Sequence, residues 1–224
     1  MIYLDQIWKS YGKGRKAQDV LCGLSAELDF SSGNIGIIGL KKSGKTSLAN
    51  LISGSSLPDS GRIDRKVRVS WPMNWRGFGG DISGDAQIGF LAKIYQADRR
   101  QMLRFVTELS DLGKKIYDPV KAYSPKEKDR LFYAAAMALD LDVYLIDEAL
   151  PTIEGEFAKD YQCFWEERMR SAAFLKCTSR PALIAQDCAQ VAILNKGQLS
   201  SWMSAAEATL QFQKIIKKPK AAVK

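Results

Sequence analysis

The chain holds 224 residues, with 33 Lys and Arg against 25 Asp and Glu for a formal charge of +8, and is 46% hydrophobic and 26% charged. At roughly 150 residues per domain this is one generous domain or a domain with an insert, apolar enough for a sizeable core and too apolar for global disorder. It contains no histidine, which excludes Ser-His-Asp and Cys-His catalysis and any histidine metal site.

The opening residues carry no apolar signal core, so secretion by that route is not expected. No apolar run reaches the roughly 18–20 residues that a membrane helix needs. Residues 34–38 (NIGII) predict a buried strand, 39–44 a glycine loop, and 45–53 a helix with Leu48, Leu51 and Ile52 on one side. A second strand is predicted over 67–71. From 85 to 110 the apolar residues Ile88, Leu91, Ala92, Tyr95, Leu103, Val106 and Leu109 recur at helical spacing, and the alanine-rich stretch 126–139 predicts another helix. Residues 143–146 (VYLI) read as a buried strand ending in Asp147, 156–170 as a helix and 173–177 as a strand. Residues 191–194 and 199–202 are expected to pair as a hairpin across Asn195-Lys196-Gly197.

Strands alternating with helices point to an α/β class, with the helical middle, about 80–135, as a subdomain inserted between strands of a main domain spanning 1–213. Cys22, Cys163, Cys177 and Cys188 show no CxxC spacing and are expected to be reduced thiols in the cytosol. Past Glu207 come Lys214, Lys217, Lys218, Lys220 and Lys224 with no acid, so 214–224 is expected to be a frayed or disordered basic tail. A solvated tail is the plain reading, and contact with anionic lipid is the functional one. Nucleic acid is disfavoured, because basic and aromatic residues do not interleave.

Gly39-Leu40-Lys41-Lys42-Ser43-Gly44-Lys45-Thr46 fits G-x-x-x-x-G-K-[ST] in full, after an apolar strand and before a helix. The glycines let backbone N–H groups wrap phosphates, and the helix N-terminus adds its partial positive charge. Lys45 is placed to reach the β and γ phosphates and the Thr46 hydroxyl to bind Mg²⁺, with Ser47 completing the candidate set. About 100 residues on, the buried strand runs into Asp147-Glu148. Asp147 can support the magnesium, and Glu148 is placed to orient or deprotonate the attacking water.

These residues resemble the ATP-binding subunits of ABC transporters, and within them the capsule polysaccharide exporter group. The similarity covers nearly the whole chain: VRVSWPMNWRGFGGDISG at 67–84, PVKAYSPKEKDRLFYAAAMALDLDVYLIDEA at 119–149, and NKGQL at 195–199 all resemble that group's segments. The resemblance implies a P-loop NTPase of ABC ATPase type, with a mixed core sheet, a β-rich N-terminal and edge portion, and an inserted helical subdomain. It implies two copies binding two ATP with Mg²⁺ beneath a transmembrane permease, as a peripheral subunit on the cytoplasmic face of the inner membrane. A homodimer is expected, with a heterodimer as the alternative. Tyr11 is then placed to stack on adenine, and Ser124, in the signature motif, to face the nucleotide of the partner copy.

The departures are equally specific. The signature reads Tyr123-Ser124-Pro125-Lys126-Glu127, where the family usually has LSGGQ or, in this group, nearly YSSGM. Pro125 has no N–H to offer a phosphate, and Lys126 stands where glycine allows close backbone approach. The family's glutamine position falls near Gly79, and Thr178-Ser179-Arg180 occupies the place of its switch histidine. Trp75 and Phe78 are candidates for permease contact or for local packing. The leading expectation is an ATP-hydrolysing export subunit. The rivals are a degenerate subunit that binds ATP but hydrolyses it poorly or not at all, and a soluble P-loop ATPase or kinase acting on nucleic acid or a small molecule.

Overall fold

A computed structural model describes residues 1–73, 80–148, 157–185 and 187–217. The elements run β1 (Ile2–Tyr11), β2 (Gln18–Leu28), β3 (Ile35–Ile38), α1 (Lys45–Ser53), β4 (Ser60–Arg65), α2 (Gly84–Tyr95), α3 (Arg99–Ser110), α4 (Pro125–Met137), β5 (Val143–Asp147), α5 (Ala158–Ser171), β6 (Ala173–Thr178), β7 (Gln190–Asn195), β8 (Gln198–Leu199) and α6 (Ala205–Lys217). They fall into two units, one from 1–73, 142–148 and 173–217, the other from 80–141 and 157–172.

The first unit is built on a sheet of order β5-β6-β3-β7-β8, parallel except for β8. Every residue of β3 and β5 is buried, as expected of parallel strands covered on both faces. Pairing of Ile38 with Thr178 and of Asp147 with Cys177 brings the carboxyl ends of three strands to one edge. The hairpin β7–β8 turns through Lys196 and Gly197, whose φ values of 50° and 76° match the right-handed strand twist.

An antiparallel sheet of order β2-β1-β4 makes up the β-rich portion of this unit. Its Ile2, Leu4, Ile7, Leu21, Leu24 and Leu28 pack with Leu48, Leu51 and Ile52 of α1 and with Ile35, Ile37 and Leu145 of the parallel sheet. A second cluster joins Ile38, Val191 and Ile193 to Ala208 and Phe212 of α6. Lys214 and Lys217 therefore lie in the last turn of α6 and not in a tail. Buried Ala208 and Phe212 anchor that helix, and its terminal lysines complement the helix dipole. Residues 218–224 lie outside the described residues.

The strand predicted over 67–71 is only an extended segment, bridged to β5 at Val69 and Val143. Ser70 N–H and Met73 N–H donate to the carbonyls of Val143 (2.9 Å) and Leu145 (2.7 Å), while the Ser70 hydroxyl accepts from Leu145 N–H at 2.8 Å. A side chain thus replaces a ladder carbonyl, and Pro72, lacking an N–H, prevents continuation.

The second unit is helical. The helical pattern over 85–110 forms two helices: α2 ends at Gln96, φ 53°, and α3 starts where Asp98 accepts from Gln101 N–H at 2.7 Å. Residues 131–137 of α4 are buried on every side. Edge-to-face pairs Tyr133–Tyr161 (5.7 Å) and Phe105–Phe164 (5.4 Å) tie α5 to α4 and α3, so this unit extends beyond the expected 80–135. At the start of α4, Ser124 Oγ accepts from Glu127 N–H (3.3 Å), Glu127 accepts from Ser124 N–H (2.7 Å), and Lys115 grips the Glu127 carboxylate at 2.9 Å.

These contacts carry two stability predictions. Ser70→Ala leaves the buried Leu145 N–H without its acceptor and is expected to cost about 1–3 kcal/mol, read as a lower urea midpoint at unchanged slope. Burial pulls the Glu127 carboxyl upward, but Lys115 and the Ser124 N–H and hydroxyl outweigh it and hold the group at about 2, against an ordinary 4.5. A carboxylate depressed on folding contributes stability above its unfolded value and loses it as pH falls through the folded one. Wild type is therefore expected to lose more thermal stability than Glu127→Gln between pH 4.5 and 2; parallel losses would refute this.

Candidate functional site

The loop 39–44 leaves β3 and enters α1 at the shared edge of the parallel sheet. Gly39 N–H donates to Thr178 O at 3.2 Å, tying the loop to the end of β6. A Cβ on Gly39 would lie 2.6 Å from Leu194 O, so no larger residue fits there. Gly44 caps α1 at φ 102°, and a Cβ there would lie 2.8 Å from Val20 Cγ1. Lys42 also takes positive φ, at 66°, which helps curl the loop.

Lys45 is 5% exposed, and its ammonium donates to the carbonyls of Gly39 and Leu40, both at 3.0 Å. Glu148 Oε1 lies 3.6 Å from the same nitrogen. Thr46 Oγ1 donates to Asp147 Oδ2 at 2.9 Å, so a hydroxyl and a carboxylate converge beneath the loop. Both are hard oxygen donors of the kind that hold Mg²⁺, and the buried Asp147 needs positive charge nearby. The residues fit that ion. Among the described residues no group of three or more His, Cys, Asp or Glu could hold another metal.

Glu148 has φ 72°, an uncommon value for a side chain with a Cβ and of the kind that marks functional sites. Its N–H donates to Cys177 O at 2.7 Å, extending the β5–β6 ladder by one bond before the chain turns. Its Oε2 accepts from Thr178 Oγ1 (3.1 Å), Ser179 N–H (3.1 Å) and Ser179 Oγ (3.2 Å). Burial pulls this carboxyl upward, but the Ser179 N–H, the two hydroxyls and Lys45 outweigh it and leave it below the ordinary glutamate value.

A cleft of about 400 Å³ opens over the loop, lined by Tyr11, Gln18, Val20, Lys41, Lys42, Gly44, Lys45, Thr46, Ser47 and Glu148. That is within the usual size of small-ligand sites. Tyr11 is 47% exposed, with the Lys9 ammonium 5.7 Å from its ring centroid. The structure thus brings together Tyr11, the loop from Gly39 to Ser47, Asp147 and Glu148, while Ser124 stands in the helical unit as the N-cap of α4. Gly79, Trp75 and Phe78 lie outside the described residues. Gln18 and Val20 carried no sequence signal, because they reach the cleft only through the pairing of β2 with β1.

The family model described as ABC transporter matches residues 25–151, more than half of the chain. The chain belongs to the ABC transporter family. The ATP-binding protein BexA of Haemophilus influenzae is 32% identical over 200 residues, 88% of this chain and 91% of that protein. The capsule polysaccharide export ATP-binding protein CtrD of Neisseria meningitidis serogroup B is 32% identical over 202 residues, 89% and 92% of the two chains. In fold the chain resembles the dimeric ATP-binding cassette MJ0796 bound to ADP and Pi, with a TM-score of 0.70 at 13% identity over 92% of this chain and 99% of that one. ABC ATPases bind ATP, generally with Mg²⁺; those of export systems dimerise as cassettes and pair with a transmembrane component. No described helix here is long and apolar enough to cross a membrane.

Gly44→Ala combines a side chain at φ 102° with a 2.8 Å clash against Val20. It is expected to weaken binding of a fluorescent ATP analogue by at least about tenfold, or roughly 1.4 kcal/mol. Unchanged affinity would mean that the loop adapts.

Proposed function

We propose that this chain is the ATP-binding and ATP-hydrolysing subunit of an ABC transporter that exports capsular or related polysaccharide. Two copies work beneath a transmembrane permease that holds them on the cytoplasmic face of the inner membrane. The observation that carries the hydrolytic part is the convergence of Lys45, Thr46, Asp147 and Glu148 at one edge of the parallel sheet. The polysaccharide rests on CtrD, a capsule polysaccharide export ATP-binding protein of nearly the same length as this chain.

Each residue then has a task. Backbone N–H groups of the loop and the Lys45 ammonium bind the β and γ phosphates, with the α1 N-terminus adding positive potential. Thr46 and Asp147 hold Mg²⁺, which neutralises phosphate charge when bound. Glu148 orients the attacking water and takes its proton. Tyr11 stacks on adenine, with Gln18 and Val20 shaping the floor beside it. Ser124 of each copy faces the phosphates held by the other.

A second reading, a subunit that binds ATP and hydrolyses it slowly, is favoured by the start of α4. Pro125 at the first helical position has no N–H, and the Ser124 hydroxyl already accepts from Glu127. ATP turnover with Mg²⁺ separates the two readings. Wild type is expected to hydrolyse ATP, Glu148→Gln to lower kcat about 10²- to 10³-fold with nucleotide still bound, and Lys45→Ala to lose binding. Wild-type turnover no faster than that of Glu148→Gln would remove the motor reading and leave a nucleotide-gated binding subunit.

A further inference from the structure

Three donors converge on one oxygen of Glu148, and the other oxygen is left for different work. Oε2 receives Thr178 Oγ1, Ser179 N–H and Ser179 Oγ, whereas Oε1 points toward the Lys45 ammonium at 3.6 Å. Thr178 is fully buried, and its Oγ1 also accepts from Arg180 N–H at 3.1 Å. That second bond occupies a lone pair of the hydroxyl and directs its proton to Glu148. Thr178 cannot swing away either, because its carbonyl holds Gly39 N–H and its strand pairs with β3. A glutamate has three rotatable side-chain bonds, so a carboxylate aimed at a phosphate site needs something to hold it there. In a chain with no histidine, the Thr178-Ser179 step provides that hold.

We propose that Thr178 and Ser179 are positioning residues for hydrolysis: they clamp Oε2 of Glu148 so that Oε1 faces the water attacking the γ-phosphorus. In the step they serve, the water oxygen bonds to the γ-phosphorus, the bond from that phosphorus to the bridging oxygen of ADP breaks, and the water proton goes to Oε1. Neither residue touches phosphate in this assignment. The clamp rests on the hydrolytic role of Glu148 proposed above, and it adds that the alignment comes from two hydroxyls and one amide of β6 and its continuation. Lys45 draws Oε1 toward the loop before nucleotide enters, and the phosphates compete for that ammonium once bound.

The test is steady-state ATP turnover and separate Mg·ATP binding for wild type, Thr178→Val, Ser179→Ala, the double variant, Thr178→Ser, Ser179→Thr and Glu148→Gln. The double variant is expected to lower kcat about 10²-fold while KM for ATP and the binding constant stay within about twofold, the scale of a misplaced reacting group. Thr178→Ser and Ser179→Thr restore a hydroxyl and should recover most of the rate. If Thr178→Val does not fold, the partly exposed Ser179→Ala carries the test alone, with a kcat loss of about tenfold. A double variant as fast as wild type, or faster, overturns the clamp, and so does a KM that rises in step with the fall in kcat. Turnover that is lost in Glu148→Gln but kept in the double variant removes only the clamp. Wild-type turnover equal to that of Glu148→Gln removes both the clamp and the hydrolytic reading.

Discussion

A buried ammonium is costly unless every proton finds an acceptor, and Lys45 sets that condition for the whole site. Its nitrogen is met by the carbonyls of Gly39 and Leu40 and by the carboxylate of Glu148. For those carbonyls to turn inward the loop must curl tightly around the lysine stem. That curl forces Gly39 against Leu194 O and Gly44 into positive φ. The first residues of α1, Lys45, Thr46 and Ser47, line the cleft where Tyr11 stands, and a helix start leaves its first N–H groups without partners inside the helix.

The sheet order supplies the partners. Because β6 lies between β5 and β3, the end of β6 touches both the phosphate loop and the Asp147-Glu148 corner. Thr178 binds Gly39 through its carbonyl and Glu148 through its hydroxyl. Parallel strands with aligned carboxyl ends make this possible, since groups leaving neighbouring strands emerge at one edge. The core behind the edge keeps it rigid: α1 is held between the antiparallel sheet and the parallel one by Leu48, Leu51 and Ile52.

The helical unit follows a different logic. Its helix α4 is buried along 131–137, too apolar there for a surface helix; Tyr161 of α5 pairs with its Tyr133, and Phe164 of α5 pairs with Phe105 of α3. The entry to α4 is fixed by local capping. Pro125 and Glu127 suit a helix start, with Ser124 and Glu127 capping each other and Lys115 locking the pair.

Local signals were legible wherever a residue's role depends on its near neighbours. The phosphate loop, α1, β5 with its acidic end, and the turn of the β7–β8 hairpin could be placed from spacing alone, because glycine permissiveness and apolar periodicity act within a few residues, although β8 is Gln198–Leu199 and not the expected 199–202. The segment 67–71 reads as a strand by composition, yet only the position of β5 decides that a Ser70 hydroxyl completes the contact. Lys214 and Lys217 read as tail, and only the packing of Phe212 in one cluster with Ile38, Val191 and Ile193 makes them helix. Likewise α5 joins the helical unit through Tyr161 and Phe164, contacts across long sequence separations. The amino-acid sequence by itself therefore determined the chemistry on offer: a lysine and threonine after a glycine loop, an Asp-Glu pair, and no histidine. Tertiary structure alone decided that Thr178 and Ser179 meet Glu148, because strand order is set by burial across the whole sheet and not by any residue in the motif.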